Sequence, residues 1–232
     1  MNVVLTGASS GIGRSLALEF CRYGERVLGI ARDESALREL KEICENFDFI
    51  VYDLSDLGGL RKIVERATEF GSVDVLVNNA GFGAYRKILD MDPEEIVRMT
   101  SVNFLAPILL TKEFLPLMRK GSTVVNVITA GVHVLLASLP LYGATKMALH
   151  YASESLRDEL RERGVKLITV YPGLVDTQFH SRAGRGVRGG EKPEEVARRI
   201  VKAIREGKNR IYTPSYLSIL RFLTGPHLLK VK

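Results

Sequence analysis

The stretch Thr6-Gly7-Ala8-Ser9-Ser10-Gly11-Ile12-Gly13 decides the fold because of its position in the chain. It follows a β-branched run, Asn2–Thr6, which predicts a buried strand, and it leads into residues 11–23, whose apolar spacing predicts a helix. Glycines permit a tight turn, and a helix N-terminus offers unpaired N–H groups to an anion. A glycine-rich turn between a strand and a helix therefore predicts a phosphate-binding site.

The same alternation of strand and helix continues along the chain. Predicted strands span residues 2–6, 26–31, 47–52, 73–78, 123–128, 165–171 and 209–213, and predicted helices span residues 11–23, 33–45, 56–70, 92–118, 141–163 and 193–206. Strands that are apolar throughout and are joined by helices predict a parallel sheet covered on both faces. Because no linker or repeat interrupts the pattern, we expect one α/β domain over residues 1–232, doubly wound, with about seven strands.

Local signals mark where these elements begin and end. Asp33 is placed to cap the second helix, whereas Gly71 and Gly164 are placed to stop helices. Pro107 should kink or interrupt the long helix that contains it. The Gly/Arg-rich residues 181–190 predict a mobile loop after a strand, at the sheet edge where ligands bind in open α/β folds.

Composition narrows the class of protein. The chain has 33 Lys and Arg against 27 Asp and Glu, a net charge of +6, but its basic residues are scattered and do not predict nucleic-acid binding. Cys21 and Cys44 have no paired spacing, so we expect buried, reduced cysteines. No signal peptide precedes the first strand, and no apolar run reaches the roughly 20 residues of a membrane-spanning helix, so we expect a cytoplasmic location.

Several segments, in order, resemble the short-chain dehydrogenase/reductase family over about residues 2–213. They are the Gly-x3-Gly-x-Gly turn, Asn78–Asn79–Ala80–Gly81, Asn103, the pair Tyr142-x3-Lys146, and Pro172–Gly173 with Thr177. The resemblance implies a Rossmann-like fold, an NAD(P)-dependent oxidoreductase and a homodimer or homotetramer, with no metal. The cofactor-binding residues that it implies are Gly7, Ser9, Ser10, Gly11, Ile12, Gly13, Arg32, Asp53, Leu54, Asn79, Ala80, Gly81, Tyr142, Lys146, Pro172, Gly173, Val175 and Thr177.

The candidate catalytic residues are Asn103, Thr129, Tyr142 and Lys146. Tyr142 and Lys146 are four residues apart on a predicted helix and therefore share a face. A nearby ammonium group favours the phenolate, so we expect Lys146 to lower the pKa of Tyr142 and fit it for proton transfer. Thr129 stands thirteen positions before Tyr142, where the family commonly has serine, and Ser138 is the runner-up. In the family the residue matching Asn103 sits at a helix irregularity and holds a water next to the lysine.

The second strand is followed by Arg32, with no acidic residue at Ala31. A guanidinium group suits a phosphate, so we expect NADP(H) to be preferred, with NAD(H) as the alternative. Asp33 could instead contact a ribose hydroxyl. Asp53 resembles the family's adenine-contacting aspartate, although it could equally cap a helix.

The substrate side is apolar. Some of the residues 132–141 should line a site for a hydrophobic carbonyl compound or alcohol, or else pack in the core, and residues 178–190 should close over the ligand. His133 is interpreted as a wall residue without a catalytic role. The apolar and basic tail, residues 215–232, could lie on a membrane surface, pack on a neighbouring subunit or shield the pocket, and we favour packing.

Two alternative functions remain open on this fold. One is a non-catalytic NADP-binding regulatory module, although Tyr142, Lys146 and Asn103 argue against it. The other is a cofactor-recycling epimerase or dehydratase. Such relatives often have threonine at the position of Thr129 but usually carry a longer C-terminal substrate domain.

Overall fold

The computed structural model describes residues 1–187, 189–223 and 229–231, with Leu223 and the last three described by their backbone alone. The described strands are β1 (Asn2–Thr6), β2 (Arg26–Ala31), β3 (Phe47–Val51), β4 (Val73–Asn78), β5 (Met118–Val127), β6 (Val134–Leu136), β7 (Lys166–Pro172), β8 (Arg210–Thr213) and β9 (Leu229–Val231). Seven of these form one sheet in the order β3-β2-β1-β4-β5-β7-β8, and every pairing in it is parallel. The predicted doubly wound, Rossmann-like fold is confirmed.

Helices cover both faces of this sheet. They are α1 (Gly11–Arg22), α2 (Glu34–Ile43), α3 (Leu60–Ala67), α4 (Pro93–Thr100), α5 (Ala106–Phe114), α6 (Pro140–Glu162), α7 (Phe179–Arg182), α8 (Pro193–Glu206) and α9 (Leu220–Leu223). Side chains alternate along β1, so Val3 and Leu5 pack with α1 and α8 on one face, while Val4 packs with α3 and α5 on the other. Because β1 lies between β2 and β4, the chain reverses its winding at the carboxyl end of β1, and a crevice opens there.

The predicted stops and caps are confirmed. Asp33 accepts a hydrogen bond from the amide of Ala36 at 3.1 Å and caps α2, and Gly71 and Gly164 have left-handed φ values of 78° and 72° after their helices. The break near Pro107 is also confirmed: a π-helical turn, Ser101–Leu105, separates α4 from α5. Proline cannot supply a helical N–H, so the backbone relaxes in the preceding turn.

Two predicted boundaries are wrong. Helix α3 begins at Leu60 rather than at Asp56, because the Asp56 carboxylate accepts from the amide of Gly59 and holds a turn before the helix. Strand β5 begins at Met118 rather than at residue 123, and its pairing with β4 shifts register between Val73 and Val75. A register shift lets the strand extend beyond its apolar run.

The prediction of reduced cysteines is also wrong. Cys21 at the end of α1 and Cys44 after α2 form a disulfide, with their Cα atoms 6.0 Å apart, and Cys21 is only half-buried. The packing of α1 beside α2 creates this proximity, which a separation of 23 residues does not reveal. The cytoplasmic location stays a prediction.

Candidate active site

The turn after β1 is shaped by its glycines. Gly7 and Gly11 have φ values of 71° and 53°, which side-chain-bearing residues rarely adopt, and a Cβ on Gly13 would lie 2.0 Å from the carbonyl oxygen of Gly7. Ser10 precedes α1, but its side chain makes no capping hydrogen bond with the helix. The amides of the first turn of α1 therefore remain available to an anion.

The segment after β4 is bound to this turn through Thr6. The Thr6 hydroxyl accepts hydrogen bonds from the amides of Asn79 (3.0 Å) and Ala80 (3.1 Å), and the Asn79 side chain donates to the carbonyl oxygen of Thr6 at 3.0 Å. These bonds join the carboxyl ends of β1 and β4. They hold Asn79, Ala80 and Gly81 beside the phosphate-binding turn.

One cavity of about 1300 Å³ runs along this carboxyl edge of the sheet. Most predicted site residues line it: Gly7, Ser9, Ser10, Gly11, Ile12, Arg32, Asp53, Leu54, Asn79, Ala80, Gly81, Thr129, Tyr142, Lys146, Pro172, Gly173, Val175 and Thr177. Gly13 and Asn103 do not line it. Gly13 lies behind the turn, and Asn103 lies behind Gly81, so both support the wall from its rear.

Asn103 is fully buried in the π-helical turn. Its Oδ1 accepts from the amide of Phe82 at 3.0 Å, and its Nδ2 donates to the carbonyl oxygen of Phe82 (2.8 Å) and to the hydroxyl of Thr145 (3.1 Å). The predicted helix irregularity is therefore present. Both amide hydrogens of Asn103 are used by protein partners, so the side chain fixes residue 82 and α6 rather than donating to a water.

Tyr142 and Lys146 lie on α6 and line the same cavity. Lys146 is only 3% exposed and donates from Nζ to the carbonyl oxygen of Val127 at 2.9 Å. Burial lowers the pKa of Lys146 to about 8, because the charged ammonium group loses water. A Cβ on Gly81 would lie 3.2 Å from both Lys146 Nζ and Asn103 Oδ1, so Gly81 leaves room for the lysine.

The pKa of Tyr142 moves in the direction opposite to our prediction. Burial raises it well above the usual value near 10, and the interaction with the Thr129 hydroxyl only partly opposes that increase. The expected lowering of this pKa is wrong, because desolvation is the largest effect on the Tyr142 phenol. Tyr142 is consequently a protonated phenol at neutral pH.

Thr129 lies just after β5, and its hydroxyl points toward the end of β7, the neighbouring strand in the sheet. Its Oγ1 accepts from the amide of Gly131 at 3.1 Å and donates to the carbonyl oxygen of Pro172 at 3.3 Å. A donor distance of 3.3 Å is long for an O–H···O bond, so this proton can be redirected at little cost. Ser138, the runner-up, also lines the cavity.

The far end of the cavity carries two arginines. Arg32 Nη1 and Arg98 Nη2 lie 3.5 Å and 3.6 Å from the same oxygen of Asp53, and all three residues line the cavity. Arg98 also lies over the ring of Phe82 at 5.6 Å. Sequence analysis missed Arg98, because it stands on α4 without any motif and only the packing of α4 brings it beside Asp53.

The described part of the segment after β7, residues 178–187, 189 and 190, includes the short helix α7 and forms the opposite wall. Tyr85 anchors it, since the Tyr85 amide donates to the carbonyl oxygen of Ala183 at 2.9 Å and its hydroxyl lies 2.8 Å from His180 Nδ1. The ring of Phe179 contacts that of Tyr142 with centroids 5.1 Å apart. Arg182 reaches across the crevice and donates to the hydroxyl of Ser10 at 3.2 Å.

Comparison with known proteins identifies the family. The family model described as short chain dehydrogenase matches residues 1–187. The chain belongs to the short-chain dehydrogenase family. An uncharacterized oxidoreductase of Staphylococcus saprophyticus is 32% identical over 231 residues, covering 96% of each chain. The protein is therefore, by class, an NAD(P)-dependent oxidoreductase.

Solved structures share the fold of this dehydrogenase. A short-chain dehydrogenase from Sphingobium yanoikuyae, in complex with NADPH, superposes with a TM-score of 0.85 at 23% identity, covering 96% of this chain and 91% of that one. A short-chain dehydrogenase/reductase from Burkholderia phymatum, in complex with NAD, gives a TM-score of 0.85 at 24% identity, covering 95% and 91%. At these identities the similarity concerns the fold alone.

The mouth of the dehydrogenase's cavity is apolar. Val134, Leu136 and Leu139 line it, whereas Val132 and Leu141 are buried in the core and Leu135 is exposed. His133 does not line the cavity; its Nε2 lies 2.8 Å from the hydroxyl of Tyr212, and its pKa is lowered, mainly by burial.

The tail of the dehydrogenase reaches this mouth. Tyr216, Leu217 and Leu220 line the cavity, which favours the shielding alternative, and β9 pairs in parallel with β6, a strand pair that was not predicted. Residues 224–228 and 232 of the predicted tail lie outside the described residues. Within the part of the chain that is described, no helix is both long and apolar enough to cross a membrane.

Proposed function

We propose that this dehydrogenase transfers a hydride between NADP(H) and a hydrophobic carbonyl compound or alcohol, with Tyr142 as the proton-transfer residue. The observation that carries the proposal is that Tyr142, Lys146 and Thr129 line the same cavity as the glycine-rich turn before α1. A dinucleotide would bind its pyrophosphate at the glycine-rich turn and react at its nicotinamide end. A cavity that contains both this turn and a proton donor suits such a ligand.

The cavity fits a dinucleotide. Glycine at positions 7, 11 and 13 keeps the backbone close to the N-terminus of α1, and Gly81 leaves open the space beside Lys146. In this proposal α1 binds the pyrophosphate, Asp53 and Leu54 bind the adenosine, and Lys146 and Thr177 bind the nicotinamide half. The nicotinamide supplies or accepts the hydride when it is bound.

The remaining chemistry belongs to the chain's own residues. The Tyr142 phenol donates its proton to the substrate oxygen; it is protonated at neutral pH, and its raised pKa makes it a weaker acid than a free phenol. The Thr129 hydroxyl, released from its long bond to Pro172, donates a second hydrogen bond to that oxygen. Lys146 adds positive charge nearby, and Asn103 holds α6 in position through Thr145.

Arg32 and Arg98 support a preference for NADP(H) over NAD(H). They place two guanidinium groups around one carboxylate oxygen of Asp53, which leaves a net positive charge at the adenosine end. A 2′-phosphate would be attracted there and can accept bidentate hydrogen bonds from arginine. The NADPH complex of the Sphingobium dehydrogenase agrees with this preference, and the NAD complex of the Burkholderia protein represents the alternative.

The exposed apolar side chains favour an oligomer. Val97 on α4 and Tyr151 on α6 are 64% and 80% exposed. Covering these side chains in a homodimer or homotetramer would remove apolar surface from water. Light scattering of wild type and Tyr151→Glu would test it: an unchanged mass would contradict this part of the proposal.

A substrate screen tests the proposed reaction. We expect NADPH oxidation, followed at 340 nm, with aldehydes and ketones whose apolar part fits the mouth lined by Leu136, Leu139 and Leu217. Within a series of increasing alkyl length, kcat/KM should rise by up to about tenfold for each added pair of methylenes buried. Binding of NADPH without oxidation by any carbonyl compound would instead favour the regulatory-module alternative.

A further inference from the structure

We infer that Arg182, in the 178–190 loop, binds the pyrophosphate of the dinucleotide across the crevice from the N-terminus of α1. This inference rests on the proposed function. It assigns a second phosphate-binding element to a part of the chain that lies 172 residues from the glycine-rich turn. It also gives the loop a role in holding the cofactor as well as the substrate.

The hydrogen bonds of Arg182 leave its charge available. Nη1 donates to the hydroxyl of Ser10 at 3.2 Å, and Nη2 donates to Oε1 of Gln178 at 2.6 Å. Both partners are neutral, and no carboxylate of the described residues forms an ion pair with Arg182. A guanidinium group with only neutral partners has its positive charge free for an anion.

The anion that fits this position is a phosphate. Ser10 immediately precedes α1, and its hydroxyl is 3.2 Å from Arg182, so an anion at the helix N-terminus lies within reach of the guanidinium group. The uncapped amides of α1 would contact one side of it and Arg182 the other. Arginine suits this role because its planar fork can donate two hydrogen bonds to one phosphate.

The residues next to Arg182 hold it in place through their contacts with Tyr85 and Tyr142. Ala183, the next residue, accepts a hydrogen bond from the amide of Tyr85, and His180 contacts the Tyr85 hydroxyl. Phe179 packs on the ring of Tyr142. A cofactor contact made by Arg182 would therefore also stabilise the segment that covers the proton donor.

Arg185 provides a matched control. It belongs to the same segment, carries the same charge and lines the same cavity, but its guanidinium group lies 5.6 Å over the ring of Tyr85, whereas the hydrogen bond to Ser10 is made by Arg182. A general effect of positive charge would appear in both arginine variants. A specific contact with the pyrophosphate would appear only in the Arg182 variants.

The test compares two ligands by calorimetric titration of the full chain. NADPH contains the pyrophosphate, whereas adenosine 2′-monophosphate has the adenosine and the 2′-phosphate without it. For Arg182→Ala we expect the Kd of NADPH to rise about tenfold and that of adenosine 2′-monophosphate to stay unchanged. Arg182→Lys should lie between wild type and Arg182→Ala, and Arg185→Ala should leave both Kd values unchanged.

Three results would overturn the inference. An unchanged Kd of NADPH in Arg182→Ala would show that Arg182 does not bind the pyrophosphate, while leaving the proposed function intact. If the Kd of both ligands rose equally, Arg182 would act at the adenosine end of the site or through its positive charge alone. Absence of NADPH binding by the wild type would overturn the proposed function, and this inference with it. Thermal unfolding of each variant controls for a change in the fold.

Discussion

The wall that carries Tyr142 and Lys146 is buried and bonded to the backbone, whereas the described part of the opposite wall, residues 178–187, 189 and 190, is mostly exposed. Lys146 bonds to Val127, the last residue of β5, and Asn103 bonds to Phe82, four residues after the end of β4. Arg182, the last residue of α7, and Arg185, three residues after it, are solvent-exposed. A rigid wall can fix the reacting groups, and an exposed loop can vary what binds.

This comparison predicts that changes in the buried wall lower kcat, whereas changes of the exposed arginines Arg32, Arg98 and Arg182 alter the affinity for the cofactor. The largest effect should come from Tyr142→Phe, which removes the proton and keeps the ring against Phe179. We expect kcat to fall by about 10³-fold, in the range typical of a lost general acid, with an unchanged Kd of NADPH. Stopped-flow and equilibrium titration measure the two quantities, and turnover within tenfold of wild type would assign the proton to another group.

Asn103→Ala tests whether the buried wall depends on its support. The substitution removes the side-chain partner of the amide and carbonyl of Phe82, in a partly buried position, and the donor to the buried hydroxyl of Thr145. We expect the free energy of unfolding to fall by about 3 kcal/mol and kcat to fall as well. Urea denaturation measures the first, and Asn46→Ala, at an exposed position, is the control. Equal stability of the two variants would contradict this role.

Lys146 predicts the pH dependence. Its pKa of about 8 means that the ammonium charge is present below pH 8 and lost as the pH rises above it. We therefore expect kcat/KM to fall above pH 8, and Lys146→Arg to move that fall to higher pH. In the unfolded chain this lysine titrates near 10.4, so its own contribution to stability increases between these pH values and unfolding does not explain the loss. A flat profile to pH 10 would contradict the role.

Arg32→Ala gives the smallest effect. Loss of one exposed guanidinium group should weaken the binding of NADPH relative to that of NADH by only about tenfold. The effect is small because Arg98 remains beside Asp53. Comparing kcat/KM for the two cofactors measures this ratio in wild type, Arg32→Ala and Arg98→Ala. If both variants keep the wild-type ratio, the cofactor preference comes from elsewhere.

Local patterns were enough to predict the elements that the site needs. The glycines at positions 7, 11 and 13 and the four-residue spacing of Tyr142 and Lys146 each lie within one segment, so their geometry follows from the turn and the helix. Pro107 likewise indicated the helix break near Asn103. These features depend on residues close together in the chain.

Features that depend on distant packing could not be predicted in this way. Arg98 reaches Asp53 only through the position of α4, and Cys21 reaches Cys44 only through the packing of α1 beside α2. The pKa of Tyr142 was misjudged for the same reason. The desolvation that comes with its burial outweighs the effect of a nearby charge that the spacing alone suggests.

A crystal structure of the protein with NADPH tests the central claim most directly, because the claim is that one dinucleotide spans the cavity from the turn to the buried wall. We predict the pyrophosphate at the N-terminus of α1, the nicotinamide ribose beside Lys146 and the nicotinamide ring next to Tyr142. A dinucleotide bound with its nicotinamide away from Tyr142, or bound outside this cavity, would contradict the account.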